Sequence, residues 1–301
     1  MKWNCLLFVL ASACWCGISR GASHNSEQSI ASYERGGQRV ADSSEVEVSV
    51  PSGLKLILCL GQSNMAGRGK MTDADRAVVP HAYKLNASNR WVQACSPYHF
   101  DKTVAGVGPV DEFVRCYLKD HPGESVGVVP CAVGGSSVTT WKVFRNGEKG
   151  KNLETALARA AAAATNGSYV AILWHQGETD AAKWSAARFR KEYVADVESV
   201  AQAVRKVTGE DVPFLAGEIG RWLRKDGDHA ERVNPFTNLI PTKVPHSAVV
   251  SSEGLANRDP HHFTRESQLE LGARYYAAWK DLAESRANHS SRGGRGIARL
   301  R

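Results

Sequence analysis

Apolar residues along this chain gather into short, nearly continuous runs rather than alternating with polar ones. Leu54-Lys-Leu-Ile-Leu-Cys-Leu60 is the first, and Val126–Cys131, Tyr169–Trp174, Val212–Ala216 and Ser247–Val250 follow. Short runs of this kind suit strands buried on both faces. Between them the spacing turns helical, over Val110–Leu118, over Ala181–Val207 and over Thr264–Leu282. The alanine-rich stretch from Leu153 is helical by propensity alone. Strands alternating with helices predict a parallel sheet covered on both sides. The expected fold is therefore α/β, a three-layer α/β/α sandwich around a five-stranded parallel sheet. Residues 67–109 keep neither period and read as a long irregular segment, the kind that often lines sites. There is no internal repeat and no linker, so residues 51–285 are read as one domain.

The two ends read differently. A short basic start (Met1-Lys2), an apolar run from Trp3 to Ile18 and small residues at Ser19 and Gly21 have the layout of a signal peptide over 1–22. That predicts a secreted protein. The run is short for a bilayer span and has no basic stop after it, so stable membrane insertion is not expected. Residues 23–50 are polar and read as a flexible lead-in. Residues 286–301 are rich in Gly, Ser and Arg and are expected to be a disordered basic tail.

Charge changes the picture only once it is located. The formal charge is +7, but the leader and the five arginines of the tail account for all of it. The body between them is neutral, which gives no reason to expect a nucleic-acid partner. A monomer is expected. Of seven cysteines, Cys59, Cys95, Cys116 and Cys131 lie outside the leader. None has CxxC spacing, so no structural zinc is expected. In an oxidising compartment the four form two disulfides in any of three pairings, unless Cys59 and Cys131 are simply buried thiols. Sequons at Asn86, Asn166 and Asn288, with a leader, read as a glycoprotein.

Ligands bind at the carboxyl ends of strands in open parallel sheets, so the residues following each strand carry the interest. The first strand leads into Gly61-Gln62-Ser63-Asn64-Met-Ala-Gly67. Ser63 is either a nucleophile whose N–H faces a developing anion or a helix cap. The second leads into Ala132-Val-Gly134-Gly135-Ser-Ser-Val-Thr-Thr-Trp141, where paired glycines allow close backbone approach. The third leads into His175-Gln176-Gly-Glu178-Thr-Asp180, where Gln176 offers an amide donor. After the fifth comes Asp259-Pro-His261-His262. Asp and His three residues apart share one turn, so Asp259 orients an imidazole that faces Ser63 as general base. His262 is the expected base and His261 its rival. Glu178 and Asp180 form a carboxylate pair of the sort glycosidases use, but acids at a helix start are expected structurally. Trp91, Trp141 and Trp222 are candidates for stacking on sugar rings or for the core. His175 is a substrate contact or a buried residue, and Arg68 either meets an acidic sugar or lies on the surface.

Taken in order, Gly61-Gln-Ser-Asn-Met-Ala-Gly-Arg-Gly69, Gly134-Gly-Ser-Ser-Val-Thr-Thr-Trp141, Trp174-His-Gln-Gly-Glu-Thr-Asp180 and Asp259-Pro-His-His262 resemble the SGNH hydrolase superfamily. Within it they resemble the sialate O-acetylesterase-like domain, carbohydrate esterase family 6. The likeness covers roughly residues 54–282. It implies a carbohydrate acetylesterase with Ser63 as nucleophile and Asp259 and His262 completing a triad. It also implies an oxyanion hole formed by the N–H groups of Ser63 and Gly135 with the Gln176 side chain. Gln62, Asn64, Gly134, Glu178 and Trp141 become substrate-side candidates, the substrate being an acetylated glycan. No metal or other cofactor is called for. An inert carbohydrate-binding protein on this fold, or a lipase or thioesterase of the superfamily, are the competing readings.

Overall fold

The computed structural model describes residues 45–222 and 229–297. Its sheet is built from β1 (Leu54–Gly61), β2 (Ala82–Leu85), β3 (Trp91–Gln93), β4 (Val126–Pro130), β5 (Gly167–His175), β6 (Phe214–Gly217) and β7 (Ser247–Val250). The order is β3-β2-β4-β1-β5-β6-β7. All neighbours are parallel except β3, which pairs antiparallel with β2 at one edge.

Strand β1 shows why an unbroken apolar run is needed at the centre. Leu54, Leu56, Leu58 and Leu60 join one apolar cluster, whereas Ile57 and Cys59 join the other. Successive side chains of a strand point to opposite faces, so a strand buried on both is apolar at nearly every step; the exception, Lys55 near its start, is half-buried and reaches Glu124. One face is covered by α3 (Lys151–Ala164) and α5 (Val194–Thr208), the other by α2 (Pro109–Asp120) and the last helix, α7 (Arg265–Ile297). The expected three layers are present. A short α1 (Ser63–Ala66), α4 (Glu178–Lys183) and α6 (His229–Thr237) complete the helices that bear on the site.

Four expectations change. The sheet has seven strands rather than five. The two extra ones, β2 and β3, lie inside the stretch read as irregular, and at four and three residues they are too short to set up a visible period. The helix expected over Ala181–Val207 is interrupted. Helix α4 stops at Lys183, Ser185 Oγ accepts from Arg188 N at 3.2 Å to start a new turn, and a π-helical turn (Phe189–Tyr193) precedes α5. Helix α7 continues to Ile297, so residues 286–297 are helical where composition predicted disorder. Extending a packed helix avoids the cost of nucleating one. Finally, the last residues of the expected lead-in are tied down: Glu47 bridges Val92, and Val48 N donates to Trp91 O at 2.9 Å. The expected leader and the rest of the lead-in lie outside the described residues.

No disulfide joins the four described cysteines to one another, and Cys59 and Cys131 are buried. Burial, and next to it Cys131, push the Cys59 thiol well up. Asn86 is 1% exposed, and its Oδ1 accepts from Ser88 N and Arg90 N. It is a turn-forming residue in the folded chain and no acceptor for a glycan. Among the described residues no helix is long and apolar enough to cross a membrane.

Candidate active site

The chain leaves β1 first toward β4 and later toward β5, so the crevice at the carboxyl end of β1 is the topological switch point of the sheet. Three strand ends converge there. Gln62 N donates to His175 O at 3.0 Å, and Val133 N to Gly61 O at 2.9 Å. These two bonds pin the ends of β1, β4 and β5 to one another. A cavity of about 570 Å³ opens above them, and Ser63, Gly134, Gly135, Glu178, Asp259 and His262 are among its walls.

Ser63 opens α1 immediately after the strand. Its Oγ lies 3.1 Å from His262 Nε2. On the other side of the ring, His262 Nδ1 lies 2.9 and 3.0 Å from the two carboxylate oxygens of Asp259. The Asp259 side chain also accepts from the backbone N–H groups of His261 and His262, both at 2.9 Å. Partial burial alone would raise this carboxyl, but the His261 N–H and the His262 ring outweigh it and hold Asp259 below its ordinary value. It is therefore an anion that fixes Nδ1 as the protonated nitrogen and leaves the Nε2 lone pair toward Ser63. The imidazole on Ser63 belongs to His262. His261 lines the cavity and contributes its backbone oxygen to Asn64 Nδ2 at 3.1 Å.

The glycine turn is held from below. Arg68 and Asp101 form a buried two-pronged ion pair, with N···O distances of 2.6 and 3.3 Å. Asp101 Oδ2 also accepts from Gly134 N at 2.8 Å. A Cβ on Gly134 would sit 2.4 Å from Arg68 Nη2 and 2.7 Å from Asp101 Oδ2, so only glycine fits. Gly135 has φ +79° and open space where its Cβ would be. Among the described residues, the backbone N–H groups of Ser63 and Gly135 have no protein acceptor.

Several expected contacts take other roles. Gln176 is fully buried and off the cavity wall, and its Nε2 donates to Ser136 O at 2.9 Å. It steadies the glycine turn instead of reaching the crevice. Asn64 is fully buried. It donates to Glu178 Oε1 at 2.6 Å and to His261 O, and its Oδ1 accepts from Phe263 N at 3.3 Å. It thus grips both sides of His262 rather than a ligand. Trp141 has no exposed surface. It meets Trp174 edge-on at 5.8 Å and donates to Ser136 Oγ, so it is core. Trp91 donates to Asn166 at the sheet edge, and Trp222 packs on Phe263. His175 is buried against Tyr275 and Glu178. Arg68 is buried and paired, not a surface residue.

Gln62 and Glu178 do line the cavity. Glu178 is otherwise buried. Burial would raise it, but His175 and Asn64 keep it below its ordinary value. Asp180 lies away from the cavity wall, bound to Ser137 Oγ and to Val138 N at 2.9 Å, so the two acids do not act as a glycosidase pair. Sequence reasoning missed Asp101, Lys102, Thr179, Lys183 and Arg258. Asp101 and Lys102 sit in the segment without periodicity, and nothing local marks them. Arg258, whose Nη1 donates to Arg68 O at 2.6 Å, had only its place beside Asp259 to draw notice.

A serine at the end of the first strand, a glycine turn and an Asp-x-x-His loop, meeting at one crevice of a flavodoxin-like sheet, define the class of SGNH-type esterases. More narrowly, residues 53–281 match the family described as carbohydrate esterase, sialic acid-specific acetylesterase, and the chain belongs to it. It is a carboxylic ester hydrolase of the carbohydrate esterase kind. It is 27% identical over 254 residues to the probable carbohydrate esterase At4g34215 of Arabidopsis thaliana, covering 77% of this chain and 92% of that one. The solved structure of the Arabidopsis protein superposes with a TM-score of 0.65 at 24% identity, over 76% of this chain and 98% of that one. A carbohydrate acetylesterase from Xanthomonas citri shares the fold with a TM-score of 0.56 at 16% identity, over 77% of this chain and 57% of that one.

Proposed function

We propose that this protein is a secreted serine esterase that removes O-acetyl groups from carbohydrate through an acetyl-enzyme. The observation that carries the reading is the line Ser63 Oγ, His262 Nε2, His262 Nδ1, Asp259, closed by contacts of 3.1 and 2.9 Å. In the first step His262 takes the Ser63 proton as Oγ attacks the acetyl carbonyl. The oxyanion forms between the free N–H groups of Ser63 and Gly135. Each such donor lowers the barrier by about 3 kcal/mol. His262 then gives the proton to the departing sugar oxygen. In the second step water, deprotonated by His262, attacks the acetyl-enzyme, and His262 returns the proton to Ser63 Oγ as acetate leaves. Asp259 stays ionised throughout and stabilises the imidazolium. Secretion is supported by the leader-like composition of residues 1–22.

The test is acetate release from acetylated oligosaccharides and hydrolysis of p-nitrophenyl acetate by the wild type and by Ser63→Ala. Wild-type turnover is expected, with the variant at background and an acetyl group on the Ser63 peptide in quenched reactions. Equal rates for the two proteins, or no turnover of any ester by the wild type, would end the reading.

A further inference from the structure

Behind the glycine turn lies a second cavity of about 320 Å³. It shares Gly134, Gly135 and Lys183 with the first, so the two are joined across the ridge that the turn makes. The proposed acetyl transfer uses none of the residues on its far side. One wall is the first turn of α3, where Lys151, Asn152 and Thr155 face the space. The residue before that turn is Gly150, whose lack of a side chain leaves the first N–H groups without a capping acceptor. Asn152 is 8% exposed. Its Nδ2 is committed to Thr140 Oγ1 at 2.9 Å, while among the described residues its Oδ1 has no partner. An amide oxygen that faces a cavity with no protein donor offers an acceptor to a ligand hydroxyl. Lys151 and Lys183 are exposed, and among the described residues neither has a carboxylate partner. Among the described residues the one acid on the wall, Asp101, is already held by Arg68 and Gly134 N.

We propose that this second cavity is a subsite for the neighbouring sugar of the glycan, and that it takes a sugar bearing a carboxylate. Its hydroxyls donate to Asn152 Oδ1. Its carboxylate lies between the ammonium groups of Lys151 and Lys183, at the electropositive start of α3. This rests on the esterase reading and names the substrate class of the same site, a uronic-acid-containing oligosaccharide rather than a neutral chain or a single acetylated sugar.

The test compares wild type with Lys151→Glu, Lys183→Glu and the double variant. The lysines are exposed, so folding is not at issue. The substrates are acetylated oligogalacturonides, acetylated xylo-oligosaccharides and p-nitrophenyl acetate. For the double variant, kcat/KM on the oligogalacturonide relative to p-nitrophenyl acetate is expected to fall about tenfold, through KM, equivalent to about 1.4 kcal/mol. The ratio for the neutral xylo-oligosaccharide is expected to hold. Independently, unacetylated oligogalacturonide should bind the Ser63→Ala protein in calorimetry, less tightly with added salt, and the two charge reversals should weaken it. Unchanged ratios, an equal loss on the neutral oligosaccharide, or no binding to Ser63→Ala would overturn the proposal. Failure of the esterase reading shows separately, as no acetate from any substrate, and the binding measurement then still decides the subsite.

Discussion

Asp259 accepts from two backbone N–H groups and from one imidazole, and in the proposed mechanism the two kinds of partner serve different ends. The N–H groups of His261 and His262 fix the loop, and the ring contact fixes the tautomer. Asp259→Asn keeps an acceptor oxygen but loses the charge. It is expected to fold normally and to lose about a thousandfold or more in kcat, as read by steady-state kinetics alongside a thermal melt. Gly134 and Gly135 separate sterics from conformation. Gly134→Ala drives a methyl into the Arg68–Asp101 pair, whereas Gly135→Ala meets no atom but must hold φ at +79°. The first should lose both stability and activity. The second should cost about 1–2 kcal/mol of stability, with kcat falling as the N–H turns away from the oxyanion. Urea denaturation and kinetics on the same samples separate them.

At the scale of elements, α1 and the loop before α7 are joined through Asn64. Because it touches residues on both sides of His262, Asn64→Ala should lower kcat far more than it raises KM. It should also leave the buried Glu178 short of a partner, at about 1–3 kcal/mol. Asn64→Asp should rescue neither quantity, because it sets a second carboxylate against Glu178. Helix α2 carries a pH-sensitive start. Asp111 accepts from Gly108 N at 2.9 Å and from Ser96 Oγ, yet full burial raises its carboxyl to about 6. A carboxyl raised on folding favours the folded state while protonated, and that contribution is lost as pH rises through 6. Wild-type stability should therefore drop by about 2 kcal/mol between pH 4 and pH 8 from this group, and Asp111→Asn should remove that slope. Denaturant titrations at the two pH values check it.

Across the whole molecule, the segment 67–109 is held twice, by the pairing of β2 with β4 and by an ion pair to the last helix. Asp75 meets Arg265, at the start of α7, through contacts of 2.6 and 2.8 Å. The Arg265 guanidinium beside it holds the Asp75 carboxyl well below the usual range, although burial acts the other way. This pair and the Arg258–Arg68 bond bring the far end of the chain against the loop after β1. Arg265→Met strands a buried carboxylate and should cost about 3–5 kcal/mol. Asp75→Asn breaks the same ion pair but leaves no buried charge unpaired, so it should cost less. For both, a lower melting temperature and a looser His262 loop in hydrogen exchange are expected.

Much of this was legible in the chain. Five of the seven strands, β1, β4, β5, β6 and β7, follow from apolar runs, because a strand packed between two helical layers has few polar positions to spare. The Gln-Ser-Asn, Gly-Gly and Asp-Pro-His-His segments could be found because each sits directly after such a strand. Tertiary structure alone decided which side chains face the crevice. Gln176, Asn64 and Trp141 lie in the right segments but turn inward, where Gln176 Nε2, the Asn64 amide and Trp141 Nε1 meet protein partners in place of solvent. It also decided that Asp101 and Arg265, distant in sequence from the residues they hold, set the glycine turn and the loop. Local periodicity records how a segment meets the sheet. It carries no term for a contact between side chains distant in sequence, and the site depends on such contacts, Ser63 with His262 and Asn64 with Glu178 among them.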